Sequence, residues 1–342
     1  MIDLHTHTRA SDGSYTPSDL VRHAAASGIT VLAITDHDTV AGIAEAIEAA
    51  AALEKPAIEA ASPMPGAPSD QDIARTKDAP RGPASDFTAP ASDFTAPASP
   101  QAPHIRIIPA VNCSTPGIRI IPGVELDIDW KPGECHLLGL GLKTFHPDLL
   151  ALLDALIADR NRRNAEIADK LRASGIDIDL ARVEALANGG TVGRPHFAQY
   201  LTEAKVVKNR QQAFDKYLAK DRPFYIDRNS IPLDAGIAAI RACGGVPVLA
   251  HPMSLYVSWG TLPEVLKGFV EQGVAGFEAW HPGARVNDCK RLEALAREFG
   301  VCVTAGSDFH GAVRPDRKIG HTAGGTKIED RYFFDELLPL LG

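Results

Sequence analysis

Seven short apolar runs recur along this chain and carry polar residues at their C-terminal ends: IDLHTHT (2–8), ITVLAIT (29–35), IRIIPGVELDIDW (118–130), CHLLGLGL (135–142), VPVLAHP (246–252), VAGFEAW (274–280) and VCVTAGSDFHG (301–311). Runs this short, rich in Ile, Val and Leu, make buried strands. Between the first of them lie helices. Thr16-Pro17-Ser18-Asp19 supplies an N-cap, a proline at the first helical position and an acidic residue in the first turn of a helix that ends at Gly28, and VAGIAEAIEAAAALEK (40–55) is alanine-rich. Strand, helix, strand, helix implies a parallel sheet. Seven such strands with polar residues gathered at one end imply an α/β fold, a distorted TIM-like (β/α)7 barrel with its chemistry at the mouth.

Two stretches interrupt the rhythm. Residues 55–104 hold ten of the 25 prolines and the tandem copy ASDFTAP-ASDFTAP, a composition that builds no packed core, so a flexible insertion is expected there. Directly after it, IRIIPAVNCSTPG (105–117) precedes IRIIPGVELDIDW (118–130) as though one strand had been duplicated, and only the second copy carries a carboxylate, Glu125, where the first has Asn112. Residues 147–227 read as helical, which implies a cap subdomain inserted into a barrel made of 1–54, 105–146 and 228–342.

A formal charge of -8 makes the surface as a whole a poor footprint for duplex DNA, so any nucleic acid bound is expected to be small or held by local positive charge, and no run approaches the roughly 18 apolar residues of a membrane span. The start lacks a basic region followed by an apolar one, so a cytoplasmic location is expected. The five cysteines are odd in number, widely spaced and contain no C-x-x-C pair, which argues against a disulfide framework and a zinc ribbon.

Metal-competent residues cluster at the strand ends: His5 and His7; His37; Glu125 and His136; His251; Asp308 and His310; with Asp12 in the loop after the first strand. In His-x-His on a strand both imidazoles face the same way, because the side-chain period is two. Each residue alone has a commoner explanation, such as a buried histidine satisfied by a carbonyl or a turn aspartate. Their co-occurrence, six of twelve histidines with three carboxylates converging on one mouth, points to a metal centre. Asp36 in TDHD either orients a ligand imidazole or caps the helix that follows. Arg194 and His196 in GRPHF stand at a helix start, where guanidinium and imidazole can meet a phosphate. His281 lines the mouth or belongs to a loop. Arg160, Arg162 and Arg163 form a charge run that reads as a solvated helix face.

In order, LHTHTRASDG, TDHD, PGVE, HLLG, AHP and GSDFHG resemble the motifs of PHP (polymerase and histidinol phosphatase) domains, over residues 1–54 and 118–320 apart from the helical cap. The resemblance implies three divalent metals: one on His5, His7, Glu125 and Asp308; a second bridged by Glu125 and held by His136 and His251; a third on Asp12, His37 and His310. Manganese is expected, with Zn and Fe admitted by the same donors. Three such ions against three carboxylates leave a positive centre that calls for an anion, and a bridging hydroxide at Glu125 would attack it. Stand-alone members with a helical insertion and a GRPHF-like segment resemble 3',5'-nucleoside bisphosphate phosphatases. The resemblance also extends to 5'-to-3' exonucleases on short single-stranded RNA and, more weakly, to histidinol-phosphate phosphatases. Carbon-nitrogen amidohydrolases on similar barrels usually place a bridging lysine where this chain has a glutamate.

Overall fold

The computed structural model describes residues 1–54, 117–187, 190–227 and 230–342. The proline-rich insertion and the first copy of the duplicated strand lie outside the described residues. Seven strands form one sheet whose spatial order follows the chain: β1 (Ile2–Asp3), β2 (Val31–Ile34), β3 (Arg119–Ile128), β4 (Cys135–Leu140), β5 (Val246–Leu249), β6 (Gly276–Trp280) and β7 (Cys302–Ala305). The sheet curls until its edges meet. Leu4 N–H donates to the Ala305 carbonyl at 3.4 Å, Asp308 N–H donates to the His5 carbonyl at 2.9 Å, and Thr6 bridges Phe309 in parallel. These bonds make a nearly closed barrel, and β3 comes from the second, glutamate-bearing copy.

One strand departs from the expected parallel order. β4 runs antiparallel to both β3 and β5. The cause is connection length: residues 129–134 are too few for a parallel crossover, which needs about a dozen residues, so the chain makes a hairpin. His136 therefore lies at the start of its strand, not at the C-terminal end expected from the sequence. Because β4 is reversed, that start opens on the same mouth as the ends of the other strands.

Among the described residues there are ten α-helices: α1 (Pro17–Ala26), α2 (Ile43–Glu54), α3 (Pro147–Ala173), α4 (Leu180–Leu186), α5 (Arg194–Glu203), α6 (Arg210–Ala213), α7 (Leu233–Ala242), α8 (Leu262–Gln272), α9 (Val286–Phe299) and α10 (Leu338–Leu341). Asp19 N–H donates to the Thr16 hydroxyl, so α1 has the cap its sequence encodes. Strand alternation then divides the core. Val31 and Ala33 of β2 join the main barrel cluster, while Leu32 and Ile34 face Leu20, Val21 and Ile43 of α1 and α2. Each such side chain, buried fully, contributes roughly 1.5–3 kcal/mol.

The helix α3 ties two cores together. Leu149 and Leu153 near its start belong to the barrel cluster, whereas Ile167, Ala168 and Leu171 near its end pack with Phe197, Leu201 and Leu218 of the helical insertion. At 27 residues it spans about 40 Å. Its middle passes the barrel mouth, which places Arg160 and Arg163 there. Among the described residues no helix is long and apolar enough to cross a membrane.

Candidate metal centre

The structure brings the nine sequence-predicted donors into one cluster with Glu125 at its hub. His5 and His7 share a face, and their Nε2 atoms stand 3.0 Å apart. Glu125 Oε2 lies 3.2 Å from each of those nitrogens and 3.1 Å from His37 Nδ1. Its other oxygen, Oε1, lies 2.8 Å from His136 Nδ1 and 3.0 Å from His251 Nε2. Asp308 Oδ1 approaches His7 Nε2 at 3.4 Å, and Asp12 Oδ1 approaches His310 Nε2 at 3.2 Å. Three overlapping groups emerge, His5 with His7 and Glu125, His37 with Glu125 and His136, and His7 with Asp12, His37 and His310, each with its donor atoms within 4.8 Å of one another.

Surrounding groups set which imidazole nitrogen faces the cluster. His5 Nδ1 stands 2.9 Å from Glu278 Oε1, a carboxylate that can only accept, so Nδ1 carries the proton and Nε2 offers its lone pair inward. His310 Nδ1 donates likewise to the Asp308 carbonyl at 2.9 Å. For His251 the partner is the Ser254 hydroxyl at 2.9 Å, which itself donates to the Glu134 carbonyl and so must accept from the ring. His281 is turned the other way. Its Nδ1 accepts the Gly283 N–H at 3.0 Å, which leaves an Nε2–H 3.3 Å from Asp308 Oδ2 and fixes that carboxylate with Oδ1 toward His5 and His7.

Burial opposes charge in this cluster, and mutual attraction overrides it for several members. Against burial, His37, His5 and His136 hold the Glu125 carboxyl well below the usual carboxylate range. His281 and His7 do the same for Asp308. His7 is raised to about 10 because, despite burial, Asp308 and Glu125 favour its cation, whereas burial pushes His37 down to about 3. The centre is thus a set of carboxylates that recruits positive charge.

That preference fits a metal. Buried Glu125 Oε2 and His7 Nδ1 make no hydrogen bond among the described residues. Two ligands about 2.1 Å from one ion, at an angle between a right angle and the tetrahedral one, stand about 3.0–3.4 Å apart, the spacing found here between the His5, His7, His37 and Glu125 donors.

Comparison with known proteins matches this centre to a family. The PHP domain family model matches residues 3–79. A 5'-3' exoribonuclease of Haemophilus influenzae is 30% identical over 90% of this chain and 89% of its own length. The chain belongs to the PHP family. A 3',5'-nucleoside bisphosphate phosphatase of Chromobacterium violaceum is 28% identical over 94% of this chain and 91% of its own. Among solved structures, a Chromobacterium violaceum protein described as an amidohydrolase, with sulfate bound and no metal, superposes with a TM-score of 0.68 at 25% identity, covering 96% of this chain and 92% of that one.

As a PHP member the chain is a metal-dependent phosphoesterase, and a residue not singled out in the sequence, Glu278, shapes its site. Its two carboxylate oxygens accept from His5 Nδ1–H and from the His251 backbone N–H, both at 2.9 Å. Among the described residues Asp36 bonds no imidazole, and it caps no helix, since α2 starts at Ile43. Its carboxylate accepts from Thr8 N–H, the Thr8 hydroxyl and the Ser11 hydroxyl, each at 2.7 Å, and so fixes the loop between His7 and Asp12.

The cluster forms one wall of a cavity of about 560 Å³, and the helical insertion lines the opposite side with Arg160, Arg163, Arg194 and His196. Of the three arginines expected on a solvated face, only Arg162 is there, paired with Asp159 and Glu166. Arg160 pairs with buried Asp38, and Arg163 is itself buried. Arg194 donates to the Leu218 carbonyl at 3.3 Å and lies over the Tyr225 ring. His196 Nδ1 accepts the Gly193 N–H at 3.0 Å, and burial lowers this imidazole's proton affinity.

Proposed function

We propose that the chain hydrolyses the 3' phosphate of nucleoside 3',5'-bisphosphates, giving a nucleoside 5'-monophosphate and phosphate. The observation that carries this reading is the two-walled cavity, with metal donors on one side and Arg163, Arg194 and His196 on the other. A small molecule with two anionic groups spans such a space, and the volume falls within the usual range for small-molecule sites. The bisphosphate phosphatase activity of the Chromobacterium relative supports it.

The nine clustered residues would hold three divalent ions, with manganese our expectation for their identity. Such ions supply a hydroxide nucleophile at neutral pH and neutralise phosphoryl oxygens. The protein's own residues do the rest. Glu125 and Asp308 provide fixed negative charge at the floor. Glu278, Ser254 and the Asp308 carbonyl lock the imidazoles so that no reorientation is needed when substrate arrives. Arg194 and His196 bind the phosphate that stays, contributing affinity remote from the reacting bond.

A second reading is 5'-to-3' removal of nucleotides from short RNA, because the Haemophilus relative carries that name over nearly the whole chain. The same floor would then attack a diester. Phosphate release from adenosine 3',5'-bisphosphate and adenosine 3'-monophosphate, measured beside mononucleotide release from a short 5'-phosphorylated RNA, separates them. We expect the bisphosphate to be preferred, and Arg194→Ala to reduce its advantage over the monophosphate by roughly 10–100-fold, equivalent to about 1.4–2.7 kcal/mol. Equal efficiency on mono- and bisphosphate would remove the reading.

A further inference from the structure

Arg317 follows the last barrel ligands in sequence and lies on the cavity wall beside His281 and Asp308. Its side chain is 8% exposed. A guanidinium has five N–H donors in a rigid fork and does not lose its charge in proteins. Among the described residues none of the five makes a hydrogen bond. Nη2 stands 3.9 Å from Asp308 Oδ2, and Nε is fully buried, 3.4 Å from Asp316 Oδ2 but without hydrogen-bonding alignment.

The other arginines of this cavity show the contrast. Arg160 is neutralised by Asp38, and Arg194 donates to a carbonyl and stacks on Tyr225. Asp308 is a poor partner for Arg317, because His281 already approaches Oδ2 at 3.3 Å while Oδ1 faces His5 and His7. Only Nε is shut off from solvent; the other guanidinium N–H donors line the cavity with no acceptor aligned to them among the described residues, so the fork is open to an acceptor from outside the chain. The space beside it is kept by Gly283, where a Cβ would lie 2.9 Å from the His281 ring and 3.2 Å from Arg317 Nη2.

We propose that Arg317 is a phosphoryl-binding residue, its fork donating to two non-bridging oxygens of the phosphate that rests on the metal cluster. The inference rests on the phosphoester reading of the site and adds a cation on the side of the cavity away from the helical insertion. A bidentate, charge-assisted contact here would also hold the charge that develops on those oxygens during transfer.

The test uses metal-loaded protein and the variants Arg317→Ala, Arg317→Gln and Arg317→Lys. Bound metal is measured first, then inorganic phosphate affinity by calorimetry, then kcat/KM with and without added guanidinium. We expect wild-type metal content in all three, at least tenfold weaker phosphate binding in the Ala and Gln variants, and a kcat/KM lower by about 10²–10³. Guanidinium should restore part of the activity of the Ala variant and none to wild type, and Lys should recover little because a point charge lacks the fork. Reduced metal content without guanidinium rescue would make Arg317 a support for Asp308 and overturn the proposal, as would unchanged phosphate affinity. If the wild type binds phosphate through Arg317 yet releases none from nucleoside bisphosphates, the phosphoryl site stands and the bisphosphate reading falls.

Discussion

Glu278→Gln gives a direct measure of how far the metal site depends on a residue that stands behind two of its members, His5 and His251. The glutamate is buried, and its two oxygens accept from two different donors at 2.9 Å. Burial disfavours its charge, yet His5, with His281 and His251, keeps the carboxyl below its usual range. Glutamine preserves the shape but has one acceptor oxygen and one NH2, so either His5 Nδ1–H or His251 N–H must face a donor. One buried charge-assisted bond is lost, worth about 1.5–3 kcal/mol. His5 also loses the anion that makes its inward nitrogen basic, an effect of about 10–100-fold on metal affinity. Chelator competition at fixed pH reads that number without any substrate. Gly306→Ala offers an independent route to the same end, because a Cβ there would sit 2.3 Å from His5 Cβ and 2.5 Å from Glu278 Oε1. Glutamine at 278 with wild-type metal affinity would refute the reasoning.

Other expectations are simpler. His7→Ala and Asp308→Asn should each lower phosphatase turnover at least about a hundredfold, on the scale of losing a group that holds the reacting centre, with circular dichroism little changed; near-wild-type turnover at full metal content would misplace the site. Deleting residues 55–117 should leave a folded, metal-binding enzyme, since β3 begins only at Arg119 and is paired along β2; a chain that does not fold after the deletion contradicts this. Cys135 and Cys302 are buried thiols pushed up to about 12, chiefly by burial, so they stay protonated through pH 8. Peptide mapping after iodoacetamide treatment of native protein at pH 8 should find both unmodified, and modified once the protein is unfolded.

The ligands were legible because a polar residue ending an apolar run is conspicuous. His5, His7, His251 and Asp308 each stand where a strand gives out. Glu278 was hidden by the opposite circumstance. It sits inside GFEAW between Phe277 and Ala279, where a carboxylate reads as the solvent side of a strand, although here that side is the barrel interior. Arg160 and Arg163 belong to a charge run that reads as solvated, yet the sequence holds the opposite signal. Leu149, Leu153, Leu156, Arg160, Arg163 and Ile167 recur at intervals of three and four, so the two arginines continue the buried stripe of α3. The direction of β4 was also readable, since residues 129–134 leave no room for a crossover. Arg317 had no sequence signal, because what distinguishes it is that the carboxylates near it are not aligned to accept from its fork, a property of three dimensions alone.

The reversed β4 also bears on the order in which the centre can assemble. Glu125 and His136 belong to one hairpin and are only eleven residues apart, so they meet as soon as β3 and β4 pair. His5 and Asp308 come from opposite ends of the barrel and meet only when the last strand docks against the first. Long-range pairings of this kind form late, because the loop entropy must be overcome before the contact exists. During refolding the hairpin half of the centre should therefore be present before the seam half, and the gain of full metal affinity should keep time with closure of the barrel.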